Sequence, residues 1–73
     1  MEPLLWTKHA SDKLYYLGLS PSQAETALSY GTRIPEGKNK FKIVCRIKNA
    51  LLIAVCREDE LGVWVITVVR KRG

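Results

Sequence analysis

With one histidine and two cysteines in 73 residues, the chain lacks the four nitrogen and sulfur ligands of a structural zinc site. No metal and no cofactor is expected. No apolar run approaches the roughly 20 residues of a membrane-spanning helix, and Met1-Glu2-Pro3 opens on an acid and a proline rather than on the basic residues of a secretory leader. The expected compartment is therefore the cytoplasm, which suits Cys45 and Cys56 as free thiols. Internal repeats, low-complexity tracts and composition breaks are also lacking, so residues 1–73 are expected to form a single domain. At that length one core is only marginally stable, and a partner or dimer contact would help it.

What the chain does hold is concentrated in its last third, where FKIVCRIK, LLIAVCR and VWVITVVR are rich in β-branched residues. Such runs bounded by polar punctuation predict strands. In the first, Phe41, Ile43, Cys45 and Ile47 share one face, and Lys42, Val44, Arg46 and Lys48 share the other. A three-residue turn at Lys48-Asn49-Ala50 would put Leu51, Ile53 and Val55 on the apolar face and Leu52, Ala54 and Cys56 on the basic one. A two-residue Asn49-Ala50 turn would reverse this and mix Leu51, Ile53 and Val55 with the cations. Because it separates the faces better, the first register is the expected one. It sends Trp64, Ile66 and Val68 inward, leaves Val63, Val65, Thr67 and Val69 outward, and sets the two cysteines on opposite faces, where no disulfide can form.

The net charge of +5 sits unevenly. Through Thr32 two bases meet three acids, whereas from Arg33 onward ten bases meet four. Nucleic acid is a natural partner for such a cationic sheet half. The plainer reading of the same lysines is protection of an edge strand against aggregation.

The first half reads as helical. Trp6, Ala10, Leu14 and Leu17 form one stripe, with Thr7 placed to cap it and Gly18 to end it. Ser20-Pro21-Ser22-Gln23 combines an N-cap serine, a proline at the first helical position and a capping-box glutamine, so a second helix starts near Pro21. Ala24, Ala27 and Leu28 give it a buried side and Gly31 stops it. Pro3 to Trp6 is either an edge strand or a lead-in. Thr32 to Lys40 is expected to be a loop, Glu58-Asp59-Glu60-Leu61-Gly62 the last turn, and Arg70-Lys71-Arg72 a basic tail. The fold class is then α+β, an N-terminal helix pair packed on a three- or four-stranded antiparallel sheet.

His9 flanks the helical stripe beside Lys13 and Tyr16. It reads as structural or exposed on one view, and as catalytic or phosphate-contacting on another. The ordered pieces His9-Ala10, Gly18-Leu19-Ser20, Arg57-Glu58 and Ile66-Thr67-Val68 resemble a family of short prokaryotic proteins known as a domain of unknown function. That family is similar to BrnT and, more distantly, to RelE-type toxins. The resemblance implies a RelE-like fold and a toxin-like RNA-binding protein acting on RNA or the ribosome, with a small antitoxin as partner. Its catalytic version is a metal-independent endoribonuclease. His9 would then move protons, Arg46 and Arg57 would clamp phosphate, Thr67 would offer a hydroxyl, and Lys42, Lys48 and Arg70 would hold the RNA backbone. The rival expectation is a non-catalytic or regulatory module that dimerises or binds a partner through Val44, Leu52, Val63 and Val65 on the open face.

Overall fold

A computed structural model describes residues 4–72. The elements follow as β1 (Leu4–Trp6), α1 (Lys8–Tyr16), α2 (Pro21–Ser29), β2 (Thr32–Gly37), β3 (Lys40–Ile47), β4 (Ala50–Asp59) and β5 (Gly62–Arg72). Both helices pack on one face of a five-stranded sheet of order β1-β5-β4-β3-β2. The fold is α+β, with more strands than expected. It is mixed rather than antiparallel, because β1 runs parallel to β5. No helix among the described residues is long and apolar enough to cross a membrane.

The helix boundaries follow local chemistry. Thr7 caps α1 by accepting from the Ala10 N–H, and Gly18 leaves it at φ 73, the left-handed conformation glycine adopts without penalty. Ser20 and Gln23 form a reciprocal capping box at the head of α2, with Pro21 just inside. Ala10, Leu14, Ala24 and Leu28 are buried against the sheet, and Ala27 is half-buried.

Two additions to the sheet come from stretches with weak strand signals. Leu4–Trp6 is an edge strand; Pro3, at its head, and the Met1-Glu2-Pro3 opening lie outside the described residues. Thr32–Gly37, expected as a loop, pairs along β3 with Thr32 opposite Val44 and Ile34 opposite Lys42. All six of its residues are exposed and it contains Pro35, so no burial period marked it. A proline is tolerated because the strand lies at an edge.

The register corrects the expected faces. Ile47 pairs with Ala50, making Lys48-Asn49 the two-residue turn, with Lys48 at φ 55. Leu52, Ala54 and Cys56 therefore join Phe41, Ile43 and Cys45 beneath the helices, while Leu51, Ile53 and Val55 turn outward among the cations. Sorting residues by charge was the wrong criterion. The covered face takes Ala50 and Ala54, small side chains that let helices approach, and leaves the bulkier Leu51 and Ile53 half-exposed.

In β5 the order is likewise inverted at first, with Val63 and Val65 fully buried and Trp64 outside. A β-bulge then resets the strand: Cys56 opposes Val65 and Val55 opposes Thr67, so Ile66 is the extra residue and Val68 returns inward as expected. Arg70, Lys71 and Arg72 are not a tail, since they pair with Leu52, Leu51 and Ala50. Both cysteines are buried on the inner face rather than on opposite ones, and both are free. Leu14, Leu52, Val63, Val65 and Val68 are the large fully buried side chains, each stabilising by about 1.5–3 kcal/mol.

Candidate nucleic-acid interface

Alternation along three strands makes four rows across the sheet face that no helix covers. They run Lys40–Arg57–Trp64, Lys42–Val55–Thr67, Val44–Ile53–Val69 and Arg46–Leu51–Lys71. Cations thus occupy both ends and an apolar row lies between them. The expected cationic platform exists, with Leu51, Ile53 and Val55 as its apolar members in place of Leu52, Ala54 and Cys56.

The edge at β5 gathers the histidine and the hydroxyl. Where β1 ends, the Thr7 N–H donates to the Val65 carbonyl at 3.2 Å. The Thr7 hydroxyl lies 3.1 Å from the carbonyl oxygens of both Val65 and Ile66. These bonds fasten the start of α1 to the bulge. His9, one residue into α1, is thereby carried to the sheet edge, and its Nε2 lies 3.1 Å from Thr67 Oγ1. The bulge has re-aimed the strand, so that Ile66 and Thr67 both serve this rim. The pair is exposed, and the tautomer decides which partner donates.

Beside it lies a shallow hollow of about 260 Å³ lined by Lys40, Val55, Cys56, Arg57 and Ile66. Ile66 precedes Thr67 and Val55 is its ladder partner, so the hollow adjoins the His9–Thr67 pair. Lys40 and Arg57 supply its charge, and among the described residues no acid forms an ion pair with either. Lys42 is held 3.0 Å from Glu36, which offsets one cation of the second row.

The structure divides the expected site. His9, Thr67 and Arg57 fall together around the bulge. Arg57 stands on the open face, opposite Lys40 and Trp64. Arg46 shares that face but lies in the last row, six residues along β3 from Lys40 and so about 20 Å away. It cannot clamp one phosphate with Arg57. Lys48 sits in the turn at Arg46's end, and Arg70 pairs with Leu52, which places it on the helix side while still exposed. Of the four residues expected to bind a partner, Leu52, Val63 and Val65 are fully buried and only Val44 remains on the open face.

Two residues of the rim escaped the reading of the sequence. Lys40 could have been found, since it stands two residues before Lys42 and shares its face. Ile66 could not, because its position depends on a bulge that no residue type announces. Trp64 lies on the outer face opposite Arg57, its Nε1 donating to Asp59 Oδ2 at 2.9 Å. No group of three or more histidine, cysteine, aspartate or glutamate side chains lies together in the manner of a metal site among the described residues.

Burial pushes the Cys56 thiol up to about 11 against a smaller opposing pull from the Arg33 charge, and burial raises Cys45 as well. Burial that holds a thiol protonated makes it a poor nucleophile. No family model, curated protein or solved structure matches the chain.

Proposed function

We propose that this chain is a toxin-like RNA-binding protein of the RelE and BrnT type that cleaves RNA without a metal at the rim formed by His9, Thr67 and Arg57. The reading draws most on the 3.1 Å contact between His9 and Thr67, two residues 58 apart in sequence, at the border of an uncovered cationic face. RNA lying across the rows would meet Lys40 and Arg57 at one end and Arg46, Lys48 and Lys71 at the other. These contacts hold the phosphate backbone without reading sequence.

Cleavage asks for three things: removal of the 2′-hydroxyl proton, protonation of the leaving 5′-oxygen, and cations for the charge that builds on phosphorus between these steps. Imidazole suits proton transfer near neutral pH. His9 would take the 2′-hydroxyl proton as that oxygen attacks phosphorus, with Thr67 fixing the ring's orientation. The 5′-oxygen would leave with a proton taken from a solvent water, the proton held on His9 then passing to the hydroxide so formed, giving a 2′,3′-cyclic phosphate and a 5′-hydroxyl. Arg57 and Lys40 would face the phosphoryl oxygens from the hollow. RNA or the ribosome is the target and a small antitoxin protein the partner under this reading, which places the chain in the cytoplasm.

The decisive test compares the purified chain with His9→Ala on single-stranded RNA in the presence of a chelator. Cleavage should fall by about 10²–10⁴-fold in the variant, while RNA binding persists and weakens steeply with salt. Equal cleavage by both proteins, or none by either, would remove the catalytic reading.

A second reading, a non-catalytic module that dimerises or binds a protein through the same face, draws on the half-exposed row of Val44 and Ile53 with the neighbouring Leu51 and Val55. It predicts association that salt scarcely alters, visible by sedimentation of the chain alone or with its partner.

A further inference from the structure

The sheet has two edges, and they are built differently. β2 carries Pro35 and a register shift between Pro35 and Gly37, features that keep another strand from adding there. At the opposite side β1 pairs only with Val63–Val65 before Thr7 turns the chain into α1. Beyond the bulge, Thr67 to Arg72 has β4 on one side and, among the described residues, no strand on the other. This stretch contains neither proline nor further register shift. Its six residues span about 20 Å, the length of an ordinary strand.

Charge says what could lie there. Arg70, Lys71 and Arg72 are on the edge itself, Arg46 is in the row of Lys71, and Lys48 occupies the adjoining turn. The acids of the sheet's longest hairpin, Glu58, Asp59 and Glu60, stand at its other end. A second copy of the same edge, Thr67-Val68-Val69-Arg70-Lys71-Arg72, would offer these cations no acid.

We propose that the Thr67–Arg72 edge takes up an extended acidic segment of a partner protein as a sixth strand. The unpaired backbone groups supply attachment, and the arginines and lysines select the sign of the incoming side chains. Attachment through the edge backbone does not depend on RNA cleavage, although Lys71, Arg46 and Lys48 border both the edge and the face, so that peptide and RNA would compete for them.

The test uses the intact chain and a dye-labelled, end-blocked peptide that alternates glutamate with valine. Anisotropy should show saturable binding, and amide exchange should slow within residues 67–72. Two further peptides carry N-methyl groups on every second amide, in opposite phases. One phase should weaken binding about tenfold or more through the loss of two or three hydrogen bonds, and exchanging glutamate for lysine should abolish it. Binding indifferent to both methylated peptides would mean mere attraction of charge and would overturn the proposal. So would protection of residues 32–37 instead, an unbound chain that sediments as a dimer with 67–72 already protected, or no binding at all. Because the changes are made in the peptide, a variant's failure to fold cannot obscure the answer. An oligonucleotide titrated in parallel reports separately on the RNA reading.

Discussion

Gly31 shows how closely single residues are fitted here. A Cβ at this position would stand 2.5 Å from Ile43 Cγ2 and 3.0 Å from the Val44 carbonyl oxygen. Ile43 is buried under the helices, so neither neighbour can withdraw freely. Gly31→Ala should therefore destabilise the fold by about 1–3 kcal/mol, as overpacking does, and thermal unfolding would register the loss as a lower Tm. The sequence marked Gly31 as a helix stop. That it must also be small, where the chain passes from α2 into β2 against the side of β3, belongs to the packing and could not be read beforehand. His9 is the opposite case: its residue type drew attention from the start, and its partner Thr67 was named too, but nothing in their spacing told that they touch.

Among the elements, the junction of β1, α1 and β5 does the most with the least chain. Thr7 caps α1, donates its N–H to Val65 and shares its hydroxyl with Val65 and Ile66. Its role as a cap was legible because threonine before an amphipathic stripe is a local signal. Its bonds to β5, 58 and 59 residues away, were not. Thr7→Ala should cost about 0.5–2 kcal/mol through the cap alone, and amide exchange should quicken across Leu4–Trp6 and the first turn of α1. Under the proposed ribonuclease reading, with His9 placed by this fastening, the same variant should also cleave RNA more slowly while retaining affinity for it. Unchanged exchange in β1 would show that the strand is held by its own pairing.

At the scale of the whole molecule, the buried thiols tie stability to alkaline pH, Cys56 most of all. Cys56 lies in the core opposite Phe41, whose ring carries the Arg33 guanidinium 4.6 Å from its centroid. Its thiol, ordinarily near 9.0, is raised to about 11. The native state keeps this proton longer than the unfolded chain does, so the unfolded state is favoured progressively as pH rises from about 9 to about 11. Stability from this group is intact below that window and falls by about 2 kcal/mol across it. Denaturant unfolding of the wild-type chain and Cys56→Ala should give curves whose separation shrinks over the same range. A constant separation would mean that the thiol titrates alike in both states.

By itself the sequence determined what local chemistry can encode. The two helices with their caps, the three long strands, the inner face of β3 and the cationic character of the sheet half all follow from residue type and short-range spacing. Only the tertiary structure decided the two short or exposed strands, the register across Lys48-Asn49, the bulge at Ile66 and hence which side of the sheet each residue of β4 and β5 faces. The physical reason is that a strand's side chains alternate with a period of two. One residue gained or lost in a turn reverses an entire face, and the choice between the two outcomes rests on how helices, distant in the chain, pack against one side.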